Sequence, residues 1–426
     1  MATTIPEPRL STSPVQATAL LAATALLTLG NGLQATLIGV RGGLEGMDEA
    51  VIGLVMSAFF AGFVLGSLTV PRLVREVGHI RTFAALASIA SAAALGFALA
   101  VSPLAWILLR ALAGACHAGM IIVVESWLNA ATDRRRRGRV LATYSVVFYA
   151  AWAASQPLLT LAPPDGFALF CLVSILFSLA LVPITLARAG GPGVVAAERA
   201  RLARLLEISP LGLVGSFALG IAAGAYFGMA PTYGQAMGFD AATISAFLTA
   251  TLIGALALQW PLGWLSDRVD RRWVIVAGCA AAAVTSLFVP MAAAASKTAF
   301  FALAFVLGAA AMPVYSLCVA HVNDQIEPGE VVAAASGLVL VYGTGSAVGP
   351  IAASLVMTAL GPPGLFIFMA TALGVFAVYG LWRLRVSAPP AAAAKDRFVS
   401  VPQTSHAVLP LHEHSPETTS GPTAPQ

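Results

Sequence analysis

Charge is what this sequence has least of. Only 10% of its 426 residues are Asp, Glu, Lys or Arg, against about 25% in an ordinary soluble domain. Hydrophobic residues make up 58% of the chain, and no soluble fold of this length hides that much apolar surface. Lysine is almost missing: Lys297 and Lys395 are the only two, so the basic residues behind the net charge of +4 are nearly all Arg. Cysteine is scarce as well. Cys116, Cys171, Cys279 and Cys318 all fall in apolar stretches, which argues against disulfides or a metal cluster and for small buried hydrophobes. No G-x-x-x-x-G-K-[ST] loop is present to use ATP, and neither G-x-S-x-G nor H-E-x-x-H occurs to mark a hydrolase or a zinc protease. His117 and His321 stand alone, and the tail histidines His406, His412 and His414 have no ligand spacing. No metal, cofactor or nucleic-acid partner is expected.

What the sequence has instead is long apolar runs, recurring from about residue 16 to residue 384 with short polar breaks. About 20 such residues cross a bilayer. Inside lipid every backbone N–H and C=O must be paired within the segment, and these runs are too long and too evenly apolar for barrel strands. The expected spans are 16–39, 50–71, 82–101, 103–130, 140–161, 166–187, 210–235, 241–264, 273–294, 298–322, 331–359 and 363–384. The first, preceded by a polar stretch with Glu7 and Arg9, is longer than a signal-peptide core and reads as a retained span.

Placing the N-terminus in the cytoplasm puts Arg72, Arg75, Arg81, the run Arg134 to Arg137, Arg139, Arg188, Arg199, Arg201, Arg204, Arg268, Arg271, Arg272, Arg383 and Arg385 inside. Only Arg41 and Lys297 fall outside. This positive-inside bias favours an even number of spans with both termini cytoplasmic. The chain then divides into a cytoplasmic segment 1–15, a six-helix half 16–187, a cytoplasmic linker 188–209, a second half 210–385 and a tail 386–426. The linker holds Gly190-Gly191-Pro192-Gly193 followed by the charged piece Glu198-Arg199-Ala200-Arg201. The tail is rich in Pro, Ala, Ser and Thr and is expected to be disordered.

The halves repeat one another. At an offset of 192, Gly238-Phe239-Asp240 falls beneath Gly46-Met47-Asp48, and Gly254 beneath Gly62. At 194, Gly308 falls beneath Gly114 and Asn323 beneath Asn129; at 193, Pro350 falls beneath Pro157. Two tandem units of the same orientation, related about an axis along the membrane normal, are expected.

Motifs follow from this frame. The break after the eighth span reads Gly263-Trp264-Leu265-Ser266-Asp267-Arg268-Val269-Asp270-Arg271-Arg272. It resembles the signature loop of the major facilitator superfamily, G-x-x-x-D-[RK]-x-G-x-[RK]-[RK]. The resemblance implies an all-α fold of twelve spans in two six-helix halves. It also implies a gating role for Gly263, Asp267, Arg268, Arg271 and Arg272, with plain positive-inside topology as the alternative. In the first-half loop, Arg75 takes the Asp position, while Gly78 and the basic end at Arg81 survive; Glu76 is a candidate stand-in. Gly30-Asn31-Gly32-Leu33-Gln34, Gly78-His79-Ile80-Arg81, Glu125-Ser126-Trp127-Leu128-Asn129-Ala130 and Ala320-His321-Val322-Asn323-Asp324 are similar to the YcaD-like subgroup. That subgroup implies fold and transport but no particular cargo.

In the fourth span Arg110, Gly114, His117, Ile121 and Glu125 share an arc of about 80°, expected to face a central cavity. A charge against lipid costs about 2.5–3.5 kcal/mol or more, so Arg110 and Glu125 must be paired or wet. Arg110 reads as a cavity or coupling residue or as structural glue. Glu125 reads as a tie to the following loop or as a proton carrier. Asn31 and Gln34 share a face of the first span, suited to substrate contact or inter-helix hydrogen bonds. Tyr226, Gln259 and Tyr315, with Tyr233, are second-half candidates that pack or bind. Gly343, Gly345, Gly349 and Pro350, with Gln156-Pro157, permit close helix approach and a rocking bend. Asn129 and Asn323 are a candidate paired gate.

The expected function is secondary transport of a small organic solute by alternating access at the cell inner membrane. The protein is expected to act as a monomer, with protons as the coupling ion and efflux slightly preferred to uptake. A non-transporting sensor or assembly subunit on the same fold, and more remotely a membrane-embedded enzyme, are the alternatives.

Overall fold

The computed structural model describes residues 14–130, 132, 137–186, 202–387, 398–403 and 405. Glu7, Arg9, Arg134, Arg135, Arg136, Arg188, the Gly190 turn, Glu198, Arg199, Arg201, His406, His412 and His414 lie outside the described residues.

Lipid as solvent leaves helices as the way to pair the backbone, and helices are what form. The first half comprises α1 (Pro14–Leu44), α2 (Glu49–Val77), α3 (His79–Leu99), α4 (Pro103–Ala130), α5 (Arg137–Ser155) and α6 (Ala168–Leu186). The short α7 (Leu202–Ile208) leads into α8 (Pro210–Ala236), α9 (Ala241–Arg268), α10 (Arg271–Ala295), α11 (Lys297–Asn323), α12 (Val331–Leu360) and α13 (Gly364–Val386). Eleven of these are long and apolar enough to cross a membrane. The twelfth crossing is α5, which opens on Arg137 and Arg139 and is correspondingly less apolar. Its helix does not reach residue 161 as expected. It stops at Ser155 and gives way to a 3₁₀ turn over Pro157–Leu161, because Pro157 has no N–H to offer the Ala153 carbonyl; the Gln156 backbone N–H takes that carbonyl at 3.3 Å and its side-chain amide the Trp152 carbonyl at 3.3 Å.

The repeat seen in the sequence is built into the packing. Gly46 and Gly238 take left-handed φ values of 70° and 74°. Around them the same two bonds recur, Met47 N–H to Gly42 O and Phe239 N–H to Gly234 O, at 3.0 and 2.9 Å. At the α2/α4 crossing Gly62 faces the Ala111 carbonyl and Gly114 the Phe59 carbonyl; at α9/α11 Gly254 faces the Phe305 carbonyl and Gly308 the Thr251 carbonyl. Small residues let the backbones touch where no hydrophobic force separates helix from lipid. Within each half α1 packs on α5 and α6 as α8 packs on α12 and α13.

One end of the bundle carries the α2/α3 and α9/α10 turns and is the basic end. There Trp264, Trp273 and Trp382 are exposed, Arg268 lies over the Trp264 ring at 3.7 Å, and Arg204 of α7 pairs with Glu330 at 2.9 Å, an arrangement suited to a membrane interface. Apolar side chains such as Leu65, Leu108, Ile175, Val284, Leu355 and Val378 stay exposed between the ends, as a lipid-facing belt requires.

Residues 398–403 and 405 of the tail are placed against the helices. Val401, Pro402, Gln403 and Ser405 are buried, because side chains of both halves offer this segment polar partners.

Candidate functional site

The two halves meet along a seam that is shut at the end opposite the basic turns. Gly39 of α1 sits against the Pro231 ring of α8, Gly43 against Gln235, and Gly53 of α2 against Ser354 of α12. The Thr232 hydroxyl donates to the Gly39 carbonyl at 3.5 Å. Deeper in, Trp152 and Phe227 bring rings from opposite halves to 4.3 Å between centroids. Toward the basic end the tail segment lies between them, bonded by Ser145 of the first half and by Ser316 and Tyr342 of the second.

On the first-half wall, Arg110 is buried with its guanidinium 4.5 Å from the Phe59 ring centroid and Nη2 at 3.8 Å from Met56 Sδ. Its Nε and Nη1 have no hydrogen-bond partner, nor does His117 Nδ1. His117 lies between the Phe59 and Phe63 rings, 5.9 and 6.5 Å away. The face expected to look into an open cavity is thus laid against α2 over this stretch, because Gly114 draws the two backbones into contact. Gln34 is fully buried with both amide atoms unpartnered; Asn31 is half-buried. Glu125 is buried and accepts the Tyr144 hydroxyl at 2.8 Å, which ties α4 to α5 itself.

On the second-half wall, the Tyr226 hydroxyl bonds the Thr251 hydroxyl at 2.5 Å. Gln259 donates to Ser316 Oγ at 2.8 Å, and Tyr315 packs on Tyr342 with ring centroids 4.8 Å apart. A small pocket with room for about one water molecule lies beside Tyr226, lined by Tyr226, Thr251, Leu307, Met312, Met369 and the tail's Gln403 among others. Of the second-half candidates Tyr226 lines this pocket, Gln259 bonds Ser316 next to Tyr315, and Tyr233 packs on Phe366, while Arg110 and Glu125 sit on separate contacts.

At the gate loop Asp267 pairs with Arg271 at 3.1 Å, and Arg271 reaches Asp324 of α11 at 3.5 Å, with both of these side chains 1% exposed. Arg272 clamps Asp270 at 2.7 Å. In the first half Arg75, Glu76 and Arg81 are exposed and Gly78 turns the chain at φ 91°, so Glu76 does not replace the missing Asp. His79 takes the place of Arg271 and bonds Ser126 of α4 at 3.0 Å. Asn129 and Asn323 are half-buried, and Asn323 Oδ1 has no partner. Gly349 lies against the Ile221 carbonyl and Pro350 against Gly228, which packs α12 on α8.

Sequence reasoning passed over the tail partners. Asp267 accepts the Phe398 amide at 3.0 and 3.2 Å, and Ser145 donates to the Ser400 carbonyl at 2.7 Å. Ser316 donates to the Val401 carbonyl at 2.9 Å and accepts its amide at 3.3 Å. Tyr342 donates to Gln403 Oε1 at 2.6 Å. Isolated serines and a tyrosine in apolar runs carry no pattern that marks them.

Two six-helix units around a central seam with buried, unpartnered polar groups define a multi-pass membrane transporter. The Major Facilitator Superfamily profile matches residues 19–248 and 212–411. An uncharacterized MFS-type transporter of Enterobacter sp. (strain 638) is 27% identical over 360 residues, covering 82% of this chain and 91% of that protein. The uncharacterized MFS-type transporter YcaD of Escherichia coli (strain SMS-3-5 / SECEC) is 27% identical over 368 residues, 86% and 94% of the two chains. Among solved structures, the nucleoside transporter NupG superimposes with a TM-score of 0.71 at 14% identity, covering 88% of this chain and all of that one. A bacterial homolog to the human lysosomal transporter Spinster, inward-facing and occupied, gives 0.70 at 15%, covering 90% and 99%. The chain belongs to the major facilitator superfamily and falls in its YcaD-like group. Members of that family transport solutes and are not enzymes.

Proposed function

We propose that the protein moves a small amphipathic organic solute by alternating access, coupled to protons and in the direction of efflux, from a monomer with both termini in the cytoplasm at the inner membrane. The observation that carries this reading is the seam between the two halves, closed at one end by Gly39 against Pro231 and Gly53 against Ser354, with a small pocket beside the tail deeper in. That pocket has room for about one water molecule while the tail's Gln403 forms part of its wall, is mostly apolar, and takes polar groups from Tyr226, Thr251 and Gln403. Glu125 is the carboxylate buried within the fourth span, and its protonation and release would carry the coupling.

The test is a thermal-shift screen of the purified protein over metabolites and antibiotics, followed by flux of the hits into liposomes. With a cargo in hand, Glu125→Gln is expected to abolish proton-driven accumulation and to preserve solute exchange; loss of both together assigns Glu125 to structure. The occupied seam favours one second reading, a sensor on the transporter fold, and absence of flux for every stabilising ligand would select it.

A further inference from the structure

The tail, at residues 398–403 with Ser405, is seated in the seam as a ligand would be. Extended backbone inside a membrane protein is tolerated only where its polar groups find partners, and here they do. The Phe398 amide, the Ser400 carbonyl and both backbone groups of Val401 are bonded by side chains of α9, α5 and α11. The chain then closes a turn, Ser405 N–H to Pro402 O at 3.0 Å, which presents Gln403 to Tyr342 of α12 and to Met312 Sδ at 3.3 Å. Gln403 also forms part of the pocket wall. The Phe398 ring lies against Gly263, where any side chain on α9 would collide with it. Ser316 uses its hydroxyl fully, since it donates to Val401 O, accepts Val401 N and accepts Gln259.

The gate loop holds both sides of the tether. Arg272 donates to the Ser387 carbonyl at 2.9 Å at the end of α13, and Asp267 binds Phe398 eleven residues later. A tether this short keeps the segment at an effective concentration on the order of millimolar.

We propose that residues 398–403 with Ser405 are an intramolecular plug: a peptide-binding groove between α5, α9, α11 and α12 takes this part of the chain's own tail, which blocks the pocket from the basic end. Ser145 belongs to the first half, whereas Asp267, Ser316 and Tyr342 belong to the second. The segment therefore fits only while the halves stand apart at this end, and their closure must expel it. A ligand that binds one of two states shifts the balance toward that state, so the docked tail both obstructs cargo and holds the basic end open. The plug deepens the transport reading, but its docking is measured without any cargo.

Two measurements on the full-length chain, with its four native cysteines replaced by Ala, test it. In the first, Phe398→Cys combined with Gly263→Cys is oxidised in membranes. An internal disulfide is expected, as it is for the control pair Gly53→Cys with Ser354→Cys at the opposite end. In the second, Met312→Cys in nanodiscs is labelled by a bulky hydrophilic maleimide, which the shut opposite end excludes. Replacing Val401 by Asp and Gln403 by Ala in the tail is expected to speed labelling about ten-fold, as for a site released from nine-tenths occupancy. The control disulfide must still form in the tail variant, which confirms its fold. No Phe398–Gly263 cross-link where the control pair cross-links, or equal labelling rates with and without the tail substitutions, overturns the proposal. A liposome with no flux counts against the transport reading alone.

Discussion

The glycine pairs at the two equivalent crossings provide a quantitative test of the repeat. Gly114→Ala would place its methyl group well inside contact with the Phe59 carbonyl, and Gly308→Ala would do the same with the Thr251 carbonyl. The obstacle is backbone in both cases, so no side chain can swing away and the helices must separate. Overpacking of this kind costs about 3 kcal/mol, at the upper end of its usual range. Exchanging Gly for Ala inside a helix returns about 1 kcal/mol. Each variant should therefore lose about 2 kcal/mol, which corresponds to a fall in melting temperature of roughly 4–8 °C for a cooperative unit the size of one half. Gly374→Ala in α13 is the internal control. Its methyl group would meet only Ala283 Cβ at 3.9 Å, so the propensity gain stands alone and melting should rise by a few degrees. The seven tryptophans allow all three to be followed by intrinsic fluorescence of the detergent-purified protein. A Gly114→Ala chain that melts at or above the unaltered protein, or a Gly308→Ala chain that moves the opposite way, would refute the close-crossing argument.

Three further outcomes are expected. Tyr144→Phe removes the hydroxyl bonded to the buried Glu125 and should cost about 1.5–3 kcal/mol, the usual worth of a hydrogen bond to a charged group; an unchanged melting temperature would mean Glu125 is satisfied elsewhere. Asp324→Asn strips Arg271 of its buried partner and should destabilise by about 3 kcal/mol, the low end for a broken buried pair because Asp267 remains. Asp324→Asn combined with Arg271→Met should recover much of that loss, and no recovery would show that the two do not act as a pair. A reporter active only in the periplasm, fused after Pro192, should stay silent while one fused after Gly238 is active; the reverse pattern would invert the topology.

The class of fold was legible because lipid imposes a rule that reads directly from composition: long runs with few charges must be helices, and their spacing counts them. The duplication was legible for a similar reason. Glycines at close crossings and at positive φ have no substitute, so Gly46 and Gly238, Gly62 and Gly254, and Gly114 and Gly308 survive where their neighbours have drifted. Periodicity also placed Arg110, His117 and Glu125 on one face, but periodicity gives a direction around one axis and not what lies there. The α2 backbone occupies part of that direction.

Other features were decided only by tertiary structure. That Ser145, Ser316 and Tyr342 converge follows from bringing α5, α11 and α12 together, and residues separated by up to 197 positions share no local signal. The tail shows this most plainly. By composition residues 398–405 are a polar, proline-bearing stretch with too little apolar surface to fold alone, and the sequence by itself determined no more than that. The order of residues 398–403 and 405 comes from outside the segment: the seam supplies hydrogen-bond partners from both halves, and that shape exists only once twelve helices have packed.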